Sequence, residues 1–198
     1  MQTITESYAL IQPLDAMYLV HKALRAEAER AEEAVAQLAV GGSFKPFHRV
    51  FYSWAMALSF LMDAEAKYVT PLVSETSCPL DQGDGQQRLM EMLENLQIYL
   101  HEDLGRTIVI PRTQRQLRGK VIALHLLQDD LLEDEEEIVL PHLRKGMSEE
   151  QQLALMQHLL HDEDAEEAGA LLDWVVQEAT EAEQQWLAAL GERLSCMA

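Results

Sequence analysis

The stretch Leu131 to Leu143 reads LLEDEEEIVLPHL. Three glutamates, Glu135 to Glu137, run directly into the apolar Ile138-Val139-Leu140, and Pro141 follows. At a period of 3.6 residues, positions 117, 121, 124, 128, 131, 135 and 138 form one helical stripe: Leu, Val, Leu, Gln, Leu, Glu135, Ile. A carboxylate therefore stands in line with core leucines. Left unpaired in a core it costs several kcal/mol or takes up a proton. Glu136 and Glu137 are free of this conflict, because the same geometry turns them outward.

A second helix repeats the problem. Positions 54, 58, 61, 65, 69 and 72 read Trp, Leu, Leu, Glu65, Val, Leu. Asp63-Ala64-Glu65 precedes Pro71 as Glu133-Asp134-Glu135 precedes Pro141, so the pattern [DE]-x-E-x5-P occurs twice near a helix end. Leucine stands four residues before each glutamate, at Leu61 and Leu131. The match has the form of an internal helix-pair repeat.

Outward from these stripes, helical periodicity dominates. A first helix is expected from about Leu14 to Val40, entered through Pro13 and ended by Gly41-Gly42. The second spans about 46–73, and 74–85 is a loop. The third spans about 86–104 on Leu89, Leu93, Leu96, Leu100 and Leu104, and the fourth about 113–145, ended by Gly146. Thr107 to Ile110 is the one short run suited to extended backbone. Ser148-Glu149-Glu150-Gln151 and Thr180-Glu181-Ala182-Glu183 are capping-box patterns, which divide the tail into helices of about 148–161, 164–179 and 181–194. Long helices on short connections predict an all-α, up-down-up-down four-helix bundle over 1–147. Residues 148–198 form a helical extension packed on it, its Trp174 and Trp186 faces suited to core packing or a homodimer interface.

Composition bounds the function. The 198 residues carry a net charge of −19, which disfavours nucleic acid as a partner. Arg106, Arg112, Arg115, Arg118 and Lys120 are a local exception, read as a solvated helix start or a dock for an acidic protein. No apolar run is long enough to span a membrane, and the first residues lack a basic, cleavable leader pattern. Cys78 and Cys196 are far apart, which suits a reducing cytoplasm rather than a disulfide framework. No GxSxG or phosphate-binding glycine loop occurs, so hydrolase and nucleotide-dependent activities are disfavoured. Organic catalysis is not expected, although an iron-dependent oxidase remains a minor alternative.

The first and third helices each carry a histidine on or beside the apolar stripe, His21 and His101. With Glu65 and Glu135 they place one donor on each of four helices, a carboxylate–histidine set suited to Fe, Mn or Zn. A metal would supply the positive charge that buried carboxylates need. The bland alternatives are core histidines held by hydrogen bonds and glutamates that reach solvent. His48, His125, His142 and the pair His158/His161 are read as helix-end or surface residues.

At these residues the chain resembles the hemerythrin-like, HHE cation-binding family. PLDAMYLVHKALRAEAE (13–29) is similar to the family's first helix, with His21 as ligand. EAKYVTP (65–71) and EEEIVLP (135–141) resemble its helix ends, and LPHLRKGMSEEQQLALMQHL (140–159) the stretch that follows its fourth helix. The resemblance, over about residues 10–160, implies a four-helix bundle around non-haem iron, bridged by Glu65 and Glu135 with His21 and His101 as terminal ligands. It departs where the family's HxxxE histidines would stand, at Leu61 and Leu131. That leaves a mononuclear iron site, an altered di-iron site with substitutes such as Tyr18, Asp63 or Gln128, or a bundle without metal. The expected role is binding or sensing of iron, oxygen, nitric oxide or peroxide. The competing expectation is a metal-free helical bundle acting as a protein-interaction or regulatory module.

Overall fold

A computed structural model of the chain describes residues 9–75, 78, 83–103, 108–160 and 170–196. Expectations that fall on Leu104, Arg106, Thr107, His161 or the start of the tail helix at 164–169 lie outside the described residues. All regular structure among the described residues is helical. A 3-10 turn, Pro13–Asp15, leads into α1 (Ala16–Ala36), then α2 (Lys45–Glu75) and α3 (Gly83–Ile98). Next come α4 (Pro111–Asp134), α5 (Leu140–Gly146), α6 (Glu149–Leu160), α7 (Ala170–Glu178) and α8 (Glu181–Ser195). No described helix is long and apolar enough to cross a membrane.

Two helices end differently from the sequence expectation. The third passes into a π-helical turn at Tyr99–Asp103, and the fourth is interrupted by another at Glu135–Val139 before α5 begins. Pro141 accounts for the second. It has no N–H to give the carbonyl four residues back, and its ring clashes with that carbonyl in a regular helix. The widened turn takes up one extra residue, and the buried stripe moves with it: Leu131 and Glu135 are followed inside by Val139, not by the expected Ile138. α2 meets its own proline, Pro71, within its last turn and a half and continues to Glu75.

The chain divides into two units, one of Leu24–Val139 and one of the chain up to Ala23 with Leu140 onward. The division falls inside α1, which is a single unbroken helix. In the first unit the apolar stripe of α2 is buried as expected, from Phe47 through Phe51, Trp54, Leu58 and Leu61 to Val69. Phe47 stacks on Phe51 at 5.6 Å, and Phe51 meets Trp54 edge-on at 6.0 Å. The Trp54 indole Nε1 donates to Gln128 Oε1 at 2.7 Å, so the polar position on the α4 stripe answers the polar edge of the largest core side chain. Gln114, in the first turns of α4, donates through Nε2 to the carbonyls of Val35, Ala36 and Leu38, at 3.3, 3.2 and 3.0 Å. Val35 and Ala36 close α1 and Leu38 follows it, where carbonyls lack the N–H four residues on that a continuing helix would supply. Gly41, at φ +82°, turns the chain after α1, and its N–H donates to Val109 O at 2.7 Å while Val109 N donates to Gly42 O at 2.9 Å.

The second unit is organised by Gln152 of α6, which is buried. Its Oε1 accepts from Leu14 N at 3.4 Å, and its Nε2 donates to Gln12 Oε1 at 3.1 Å and Met147 O at 3.3 Å. Asp15 Oδ2 accepts the amides of Ile11 and Gln12 at 2.8 and 2.7 Å, and Arg144 reaches its other oxygen at 3.3 Å. The expected capping boxes at Ser148 and Thr180 both form.

Trp54→Phe strands a buried amide oxygen and is expected to cost ~1–3 kcal/mol in urea unfolding. Gln128→Leu added to that variant should recover part of the loss, since it removes the stranded group. Equal stabilities for the wild type and Trp54→Phe would show that the hydrogen bond contributes nothing.

Candidate metal centre

Two carboxyls meet in the core. Glu65 of α2 and Glu135, first residue of the π turn after α4, are only 2% and 3% exposed. Both were placed on core stripes by periodicity alone, and both lie inside. Their side chains share a hydrogen bond, and Gln86 Nε2 of α3 donates to Glu65 Oε2 at 3.1 Å. Burial raises the Glu65 pKa well above the ordinary carboxylate range. The neighbouring Glu135 charge and the shared hydrogen bond raise it further, and Gln86 opposes them. The pair therefore keeps a proton where an exposed pair would lose both.

His21, fully buried on α1, completes the cluster. One ring nitrogen of His21 and one oxygen each of Glu65 and Glu135 lie within 4.8 Å of one another. The Glu65 carboxyl meets another carboxyl, Glu135, and the Gln86 amide, neither of them a cation. Ionised, the pair would carry two negative charges in a dry interior, and a divalent cation would neutralise them. The donor set, two carboxylate oxygens and an imidazole nitrogen, suits Fe(II), Mn(II) or Zn(II).

His101 is not brought to this cluster. It is exposed on the Tyr99–Asp103 turn, and its charge is felt by His48, whose pKa is lowered by burial first and by His101 second. His48 precedes Glu65 by 17 residues on the same helix, roughly 25 Å along its axis. The α3 residue at the level of Glu65 is Gln86. Gln86, in phase with Leu89, Leu93 and Leu96 at the expected start of the third helix, is not among the site residues that the sequence singles out. The available signal was topological: in an antiparallel pair, the start of the third helix faces the end of the second. Next to Gln86, a Cβ on Gly85 would stand 3.3 Å from Leu131 Cδ1, so glycine there allows α3 to begin close against α4.

The histidine positions of the resembled family, Leu61 and Leu131, are buried apolar side chains. Of the substitutes considered, Asp63 is exposed, Tyr18 is half-buried, and Gln128 is buried with its oxygen taken by Trp54. His142 is half-buried and His158 exposed. Cys78 and Cys196 are free thiols.

A polar network that the sequence did not reveal flanks the π turn. His125 of α4 faces Glu32 of α1 through Nδ1 at 2.6 Å and Asp129 through Nε2 at 3.2 Å. Arg25 bridges Asp129 and Glu136, at 3.7 and 2.7 Å, and so ties α1 to the residue beside Glu135. The hydrogen bond to Asp129 raises the His125 pKa, burial opposes it, and the bond to Glu32 and both carboxylate charges add to the rise, to about 9.

The fold and this cluster define an all-helical protein with two carboxyls and an imidazole within reach of one cation. No protein-family model matches the chain, and no curated protein or solved structure is recognisably similar to it.

In the metal-free protein, the folded state holds the Glu65 proton more tightly than the unfolded state does. That stability is complete below the unfolded value near 4.5 and is lost as pH rises through the raised folded value. Chelator-treated wild type should thus lose stability relative to Glu65→Gln as pH rises above about 4.5. A stability difference independent of pH would show that the carboxyl is not buried with its proton. His125 works in a separate window. Its contribution is complete below 6.5 and disappears as pH passes about 9. His125→Gln should therefore cost ~2–3 kcal/mol in urea unfolding at pH 6 and much less at pH 10.

Proposed function

We propose that this chain is a non-haem metal-binding protein of hemerythrin type, its helices α1–α4 forming the four-helix bundle and iron its native metal. The observation that carries the reading is the enclosed His21–Glu65–Glu135 cluster, in which two carboxyls are buried together beside an imidazole. Such a pair is costly unless a proton or a cation accompanies it. His21, Glu65 and Glu135 would hold a single ion, and Gln86 would orient the Glu65 carboxylate from behind. With Leu61 and Leu131 in place of further donors, the site is mononuclear rather than dinuclear. Bound iron would supply a redox-active cation with open positions for dioxygen, nitric oxide or peroxide. The role is binding or sensing of such a ligand, or of iron itself, with water excluded by the leucines around the cluster. The twofold recurrence of [DE]-x-E-x5-P supports the same reading, because it brings an equivalent carboxylate from each of two helices.

One observation favours a second reading, a metal-free helical bundle that serves as an interaction module. Glu65 and Glu135 already share a hydrogen bond, and a retained proton neutralises part of their charge without metal.

The test is anaerobic loading with ferrous iron followed by a count of metal per chain. The wild type is expected to retain about one equivalent and Glu65→Gln/Glu135→Gln less than about 0.2, with His101→Ala unchanged. Uptake should release protons, and so tighten as pH rises. Wild-type occupancy as low as that of the double variant would establish the metal-free reading.

A further inference from the structure

Five of the 15 cations of this acidic chain are held in ion pairs among the described residues. Lys22, Arg25, Arg30, Arg144 and Arg193 each meet a carboxylate at ion-pair distance. The first three-quarters of α4 is a concentrated exception to the acidic surface. Between Pro111 and Gln128 it carries Arg112, Arg115, Arg118 and Lys120 and no carboxylate, in a chain with 34 acidic and 15 basic residues. All four are exposed, and none forms an ion pair with a described carboxylate. The amino-terminal part of a helix is where its dipole disfavours cations, so their placement does not serve the helix.

Beside this strip, α3 and α4 enclose an open groove of about 600 Å³. Arg88 stands on the α3 side and Lys120 on the α4 side, where its ammonium lies 5.2 Å from the Tyr99 ring. The apolar part of the lining includes Ile98, 47% exposed, and Leu127. Further along the outer face of α4, Leu126 is 58% exposed, one helical turn beyond Ile122. Gly119 sits in the middle of the strip, between Arg118 and Lys120, and a Cβ there would meet nothing within 4 Å. Glycine in an exposed helix weakens it relative to alanine. No packing among the described residues requires it, whereas the close approach of a second backbone would.

We propose that the α3–α4 groove and the adjoining face of α4 dock an acidic amphipathic helix of a partner protein. Charge complementarity selects the partner: Arg88 and Lys120 flank the groove, whose lining also includes Glu91, and Arg115 stands on the Ile122–Leu126 face of α4, so the occupant carries carboxylates beside an apolar stripe. Ile98 and Leu126 receive its apolar side chains, and Gly119 lets its backbone approach α4. The surface contains no member of the buried His21–Glu65–Glu135 cluster, so the inference stands apart from the metal reading.

The test uses the full chain and a fluorescein-labelled synthetic helix of about 16 residues, leucine on one face and glutamate elsewhere. Anisotropy should report saturable binding that weakens at least about tenfold between ~50 and ~300 mM salt. Arg115→Glu/Lys120→Glu should lower affinity at least about tenfold, and Leu126→Ser several-fold, with the circular dichroism spectrum and iron uptake unchanged. Gly119→Leu should raise the melting temperature and still weaken binding. Wild-type affinity in the charge-reversed variant, or equal binding of a peptide with serine for leucine, overturns the proposal. So does preference for a single-stranded oligonucleotide, or self-association of the wild type through this face that the peptide cannot displace.

Discussion

Two carboxyls placed side by side in a dry interior repel each other, and each loses its hydration; the rest of this core is arranged around that pair. Glu65 and Glu135 come from different helices, so their approach depends on the packing that holds α2 and α4 together. Leu61 and Leu131 lie one turn before them, with Trp54 about two turns before Leu61 and Gln128 about one turn before Leu131, giving successive apolar and polar levels along the same stripes. Gln86 supplies a neutral donor to the pair, from the start of α3. A shared proton reduces the repulsion without any ligand. A divalent cation removes it more completely and recruits His21, which is why the cluster supports the proposed metal site.

The π turns determine what the carboxylates and histidines can do. At Glu135–Val139 the backbone has one residue more than a regular helix would need. It keeps Val139, Leu140 and Leu143 inside beyond Glu135, whose own inward position the regular period of α4 already sets. Arg25 fastens the same turn from outside through Glu136. At Tyr99–Asp103 the corresponding turn leaves Leu100 buried and His101 exposed, near His48 and far from Glu65. One irregularity thus continues the core beyond a buried carboxyl, and the other keeps a histidine on the surface.

Charge is distributed in two distinct ways on the same helix. The carboxyl-terminal part of α4 carries Asp129, Asp130, Glu133 and Asp134, and its half-buried acids are matched by His125 and Arg25. The amino-terminal part is basic and bare. A network of the first kind fixes neighbouring helices to one another, because its partners are all within the chain. A strip of the second kind leaves its electrostatic free energy to be realised with another molecule, which is the physical basis for treating it as a docking surface.

The helical class, the burial of Glu65 and Glu135 and the apolar role of Leu61 and Leu131 were all legible in the sequence. Each follows from a 3.6-residue period within one helix, and such a period needs no knowledge of neighbours. His21 was legible for the same reason. What periodicity could not supply was the level at which helices face one another. His101 and Gln86 both stand on or beside the α3 stripe, yet only Gln86 lies opposite Glu65, because α3 begins where α2 ends. The π turns, the His125–Glu32–Asp129 contacts and the Trp54–Gln128 bond likewise depend on pairs far apart in the chain. Local spacing decided which residues turn inward; only tertiary packing decided which of them meet, since a helix carries phase in its sequence but not the height of its partners.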